Sequence, residues 1–132
     1  MTKRQNYRSG RPFEVAGGFS RAVRVDAPTG HVYVGGTTST DVDSQVLHPR
    51  DPYRQTKQAL AIVETALEAL GASLEDVVRT RIYVVDIATN QDEVGRAHRE
   101  IFEYIQPAET MVGIAELAHP DMLVEIDVEA LV

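Results

Sequence analysis

The chain has no cysteine, which excludes disulfides, thiolate metal sites and a cysteine nucleophile. It has no run of about 20 apolar residues, so no membrane-spanning helix is expected. It also lacks a clustered basic face. Thirteen Lys and Arg stand against twenty Asp and Glu, for a formal net charge of −7, and the cations are scattered or sit beside acids. Nucleic acid is therefore not expected as the main partner. Met1 to Gly10 is polar and basic and lacks the apolar core of a signal peptide. A soluble, cytoplasmic protein is expected, with residues 1–10 a frayed, flexible arm.

Metal-ligand spacing is missing too. Of the four histidines, His31 follows a turn, His48 lies in a long loop, His98 is on a helix beside Arg99, and His119 precedes Pro120. None is paired with another at i and i+4, so surface or turn roles are expected for all four and no metal site is assigned. Ser20, Ser39, Ser44 and Ser73 lack a nucleophile-elbow motif. Gly17-Gly18 and Gly35-Gly36 have neither the spacing nor the lysine of a phosphate loop, and suggest backbone turns or bulges.

What is present reads as one domain over residues 11–132, a length at which roughly two thirds of the chain's surface can be buried. Phe13 to Val15 is a short apolar run expected as a strand. Ser20 to Val25 and His31 to Val34 flank Pro28-Thr29-Gly30 and predict a hairpin. Residues 37–50 are polar and aperiodic, a long loop able to serve as a pocket lid. Asp51-Pro52 starts a helix carrying Leu60, Val63, Leu67 and Leu70 at helical spacing, with Gly71 as its left-handed stop. Ser73–Asp76 predicts one helical turn and Val77–Asp86 a strand. Asn90 with Glu93 has the form of a capping box for a second helix bearing Val94, Ala97, Ile101 and Phe102. Glu109–Leu117 and Met122–Leu131 are the closing strands. This order predicts an α+β fold, a mixed sheet with two helices on one face. Val124, Ile126 and Val128 alternate with Glu125, Asp127 and Glu129, so the acidic set must face away from the helices, toward solvent or a subunit interface.

Several segments resemble the reactive intermediate deaminase (Rid/YjgF) family: Gly18-Phe-Ser20, Tyr33-Val-Gly-Gly36, Gly71 to Thr80, Tyr83-Val-Val-Asp86, Pro107-Ala108, and Leu123-Val-Glu-Ile126. They run in order from about Pro12 to Val132. The resemblance implies a chorismate-mutase-like fold closed as a homotrimeric barrel, with small-molecule pockets between subunits. It also implies hydrolysis of imines or enamines to ketones and ammonia, with no metal or organic cofactor. In that family an arginine after the Pro-Ala pair clamps the substrate carboxylate.

Here that position is Glu109. The position usually tyrosine is Phe19, the second-signature serine is Gly35, and the helix asparagine aligns with Gly95. Glu125 keeps the carboxylate that the family places near the attacking water. The expected site thus comprises Glu125 and Glu109, with Phe19, Gly35, Thr37, Arg81, Gly95 and Met111 lining the substrate. Alternation puts Glu109, Met111 and Gly113 on one strand face, and Leu123, Glu125 and Asp127 on one face of the next. If those faces coincide, two carboxylates share a pocket and hold at least one proton between them. The competing reading neutralises Glu109 with Arg81, a mid-strand charge in need of a partner. The expected function is a C–N hydrolase whose substrate is not a simple 2-imino acid. The alternative is a non-catalytic binding module that uses the same cleft.

Overall fold

Leu60, Val63 and Leu67 line the buried stripe of the long helix α2, Pro52–Ala69, in a computed structural model that describes residues 3–132. Asp51 caps its start by accepting the Arg54 N–H at 2.9 Å, and Pro52 opens the first turn without forfeiting a bond. Gly71, at φ +80°, ends it as expected. Leu74–Asp76 is a single 3₁₀ turn, closed by Ser73 and Asp76 in a capping box.

Before α2 lie β1 (Lys3–Tyr7), α1 (Pro12–Gly17), β2 (Ala22–Asp26) and β3 (His31–Thr37). After it come β4 (Val77–Val85), α3 (Ile87–Phe102), β5 (Ala108–Ile114) and β6 (Val124–Leu131). The main sheet runs β3-β6-β4-β5, with β4 and β5 parallel and the other pairs antiparallel. α2 packs on β6 and β3, and α3 on β4 and β5. Val124, Ile126, Val128 and Ala130 of β6 meet Ile82 and Val84 of β4 in the core on that side. Glu125, Asp127 and Glu129 lie on the opposite, open face, as the alternation requires. A bulge at Gly35-Gly36 shifts the β3–β6 register between Val34 and Thr37.

The structure departs from expectation in four respects, three of them in the amino-terminal third. Residues 3–7 are a strand rather than a frayed arm. Arg4 donates to the carbonyls of Val77 (2.7 Å), Ile105 (2.8 Å) and Glu75 (3.2 Å), and Asn6 to those of Ile105 and Gln106. Buried carbonyls need donors, and a polar arm supplies them, which composition alone does not reveal. Second, β2 pairs with β1 in its own two-stranded sheet, not with β3. The Thr29-Gly30 turn instead binds the Val132 carbonyl, steering the chain onto β6. Third, Phe13–Val15 is helical, which adds a third helix: Pro12 starts it, and it buries Gly17 and Glu14, the latter held by Ser9 and Arg21. Phe13 and Val15 are exposed.

Fourth, α3 begins three residues ahead of Asn90. Asp86, left-handed at φ 51°, turns the chain straight from strand into helix, and Asn90 returns its amide to the Val85 carbonyl at 2.7 Å. No capping box with Glu93 forms there. The last two strands are also shorter than expected, ending at Ile114 and starting at Val124. The Arg4 contacts make a prediction. Arg4→Ala should cost about 1–3 kcal/mol in urea unfolding, the penalty for leaving the partly buried Val77 and Ile105 carbonyls without this donor; a frayed arm would give no change.

Candidate functional site

β4 is the ruler that decides which predicted residues meet. Glu109 of β5 pairs with Thr80, and Glu125 of β6 pairs with Tyr83. Thr80 and Tyr83 are an odd number of residues apart, so their side chains point to opposite faces. The two carboxylates therefore do not share a pocket within one chain. Glu109 and Met111 face the helices with Thr80 and Ile82, whereas Glu125 faces outward with Arg81 and Tyr83.

On the helix side Glu109 is held deep. Its side chain is 6% exposed, and Oε1 is buried with no hydrogen-bond partner. Among the described residues no Lys or Arg nitrogen lies within 4.0 Å of it. The closest ionisable group is His98, whose Nδ1 is 3.5 Å from Oε1. Burial without a charge partner pushes the Glu109 carboxyl up to about 8, so at neutral pH it is mostly a neutral acid.

His98 is fully buried on α3, i+4 from Val94 and i−4 from Phe102, on whose ring it rests at 4.7 Å. Burial drives its pKa down to about 4, against the raising effect of its bond to Gly17. The tautomer follows from its partners. The Gly17 carbonyl, 2.6 Å from Nδ1, can only accept, so Nδ1 carries the hydrogen. Nε2 of the neutral ring must then accept from the Thr80 hydroxyl, at 3.0 Å. A Cβ at Gly18 would stand 2.7 Å from the Arg99 Cα, and one at Gly17 would stand 2.9 Å from the Phe19 ring and 3.3 Å from Glu109 Oε2. The two glycines let the end of α1 press onto α3 and deliver that carbonyl. Phe19 closes over them, itself buried. Gly95 lies one turn before His98 with open space above its Cα.

Arg81 does not neutralise Glu109. It lies on the open face, with Nε 2.8 Å from Asp127 and Nη2 3.9 Å from Glu129, while the Tyr83 hydroxyl donates to Asp127 at 3.0 Å. That hydrogen bond raises the pKa of Tyr83, and the Asp127 contact raises that of Arg81. Tyr33, Gly35, Gly36, Arg81, Asp127 and Glu129 line a cavity of about 310 Å3 on this face. Glu125 lies beside it. A Cβ at Gly36 would come within 2.8 Å of the Glu125 carboxyl, so the bulge glycine makes the space that carboxyl occupies. Thr37, at the end of β3, spends its hydroxyl on the Gly35 carbonyl at 2.8 Å.

Sequence reasoning gave His98 a surface or turn role, which its full burial on α3 overturns, and passed over Thr80. The available signal was that His98 falls on the apolar stripe Val94, Ala97, Phe102, where a histidine must find buried partners. Among the described residues no group of three or more His, Asp and Glu could hold a metal ion, and no helix is long and apolar enough to cross a membrane.

A mixed sheet with its helices on one side and a polar open face on the other places the protein in the chorismate-mutase-like α+β class. The family model described as Endoribonuclease L-PSP matches residues 10–132. The chain belongs to that family, also called YjgF/Rid. The uncharacterized protein SCO2049 of Streptomyces coelicolor is 37% identical over 122 residues, spanning 92% of this chain and 87% of its own. The solved structure of Rv2704 from Mycobacterium tuberculosis, a member of the YjgF/YER057c/UK114 family, is 44% identical. The match covers 98% of this chain and 100% of that one at a TM-score of 0.69. YyfB from Yersinia pestis, a protein of unknown function in the conserved Rid family, is 28% identical over 98% of both chains at a TM-score of 0.85.

The two displaced titrations oppose each other in stability. The folded Glu109 holds its proton up to about pH 8 against 4.5 when unfolded, so its contribution falls as pH rises between those values. His98, at about 4 folded against 6.5 unfolded, adds stability as pH rises from 4 to 6.5. The slopes offset between pH 4.5 and 6.5, leaving a net loss above it. Unfolding free energy should therefore drop between pH 6.5 and 8 by up to roughly 1.4 kcal/mol per pH unit. Glu109→Gln should flatten that drop in pH-dependent denaturant titrations.

Proposed function

We propose that the protein is a trimeric Rid-family hydrolase of imine or enamine C–N bonds. Its substrate presents an amine-derived or neutral group, not a carboxylate, at position 109. The observation that carries this reading is Glu109 itself: a buried carboxyl with an unpartnered oxygen and no cation beside it. A buried acid without a charge partner is costly in a structural role, and strongly displaced titration is characteristic of functional sites. A carboxylate clamp needs a cationic donor. A neutral acid has one proton to give, and once ionised it repels a carboxylate.

In this scheme Glu109 protonates the substrate nitrogen. A water adds to the imine carbon and gives its proton to the Glu125 carboxylate. That proton then passes to the departing amine as the C–N bond breaks, and the hydroxyl proton left on oxygen returns to Glu109, giving a carbonyl compound and ammonia with both carboxyls as they began. General acid–base help of this kind contributes about 10²–10⁴-fold. Within one chain the two carboxylates face opposite ways, so the scheme requires Glu125 from an adjacent subunit, as the family resemblance implies. The ribonuclease reading in the family model's description finds little support. The net charge is −7, and stacking on single strands needs a basic, aromatic-lined groove.

Ammonia release is the test. Wild type should leave 2-iminopropanoate and 2-iminobutanoate at their uncatalysed rates and accelerate the hydrolysis of imines formed in place from simple amines. Glu125→Gln should lower that turnover by about 100-fold or more while still binding, and sedimentation should show a trimer. Wild-type turnover of 2-iminopropanoate contradicts the reading of Glu109. Binding without turnover of any imine makes the protein a binding module, and a monomer removes the shared site altogether.

A further inference from the structure

The buried polar cluster behind Glu109 has a built-in direction. The Gly17 carbonyl keeps the His98 hydrogen on Nδ1, Thr80 donates to Nε2 and holds the ring in place, and Glu109 Oε1 lies close by that hydrogen. We propose that His98, held by Thr80, is a positioning residue for the Glu109 acid: its Nδ1–H rests on the Gly17 carbonyl while Glu109 is protonated and turns onto Oε1 when that proton leaves. The inference rests on Glu109 being the acid of the site.

The geometry carries it. Oε1 lacks any donor, and a carboxylate formed there would be desolvated and unpaired, a costly state unless a donor reaches it. The Nδ1–Oε1 separation of 3.5 Å needs to close by only about half an ångström to reach hydrogen-bond length. Among the described residues no other cationic group lies within 4.0 Å of the carboxyl. From β4 only Thr80 and Ile82 face Glu109, both uncharged. From α1 the ionisable chain is Glu14, committed to Ser9 and Arg21. From α3 Arg99 presses its main chain on Gly18, with its guanidinium more than 4.0 Å from the carboxyl. No proton leaves His98 in this exchange. The proton on the substrate nitrogen comes from Glu109, and the imidazole stays neutral.

Glutamate carrying ¹³C at its side-chain carboxyl, incorporated into the full-length protein, reports the Glu109 titration directly, with Glu109→Gln assigning the signal. His98→Phe keeps a ring but loses the donor, and should move the Glu109 midpoint upward by about one pH unit. His98→Asn, whose amide nitrogen occupies nearly the place of Nδ1, should restore the wild-type midpoint. Thr80→Val, a near-isosteric change, removes the bond that holds the ring over Oε1 and should also raise the midpoint, whereas Thr80→Ser should not.

A purely structural His98 would lower stability in both His98 variants and leave the midpoint where it was, and that result overturns the proposal. If His98→Phe fails to fold, the Thr80 pair decides alone: equal midpoints in Val and Ser variants overturn it. Turnover plays no part in this readout. Wild-type inactivity on every imine would refute the proposed reaction while leaving the coupling measurable, and an unmoved midpoint in an active enzyme would refute only the role of His98.

Discussion

The packing of β6 and β4 against α2 and α3 is the constraint on which the rest depends. One face of each strand is sealed into the core by Val124, Ile126, Val128, Ile82 and Val84. A slip of one residue would bury Glu125 and Asp127 of β6, or Arg81 and Tyr83 of β4, and expose the apolar set, so the register is fixed by the hydrophobic effect. Every placement at the candidate site follows from it. Parallel pairing of β5 with β4 then sends Glu109 to the helix side, while Glu125 is held to the open face.

This division gives the two carboxylates different chemistry. Glu125 stands over the bulge glycine Gly36, near the cleft edged by Arg81 and Asp127. Glu109 lies under Phe19 and Gly17, beside a histidine that is itself neutral. Environment rather than residue type separates an acid from a base, as when two glutamates or aspartates of one site titrate far apart. The open face adds its own network, in which Asp127 holds both Arg81 and Tyr83. That pairing is why Arg81 is not available to Glu109.

Much of the fold is legible in the sequence because periodicity reports burial directly. The stripe Leu60, Val63, Leu67 and the alternation from Val124 to Glu129 each fix an element and its orientation, and Gly71 marks a helix end by its backbone alone. What periodicity cannot report is partnership between distant polar groups. Arg4 and Asn6 read as a solvated arm because their partners are carbonyls about a hundred residues away in sequence. Glu14 carries no signal in the sequence because Ser9 and Arg21 satisfy it only in three dimensions. At the site, alternation placed residues on faces within each strand, but whether the faces of β5 and β6 coincide depends on β4 between them. His98 was invisible as a site residue for the same reason. Its role comes from Gly17 and Thr80, neither of which is near it in the chain.

The central claim is that Glu109 is a neutral carboxylic acid at physiological pH, and infrared spectroscopy tests it most directly. Near pH 6.5 the spectrum of wild type minus Glu109→Gln should contain the carbonyl band of one protonated carboxyl group. The band should shift in heavy water and vanish above pH 9. A difference spectrum showing only ionised carboxylate at pH 6.5 would mean that Glu109 is charged, and that a cation or open solvent reaches it after all.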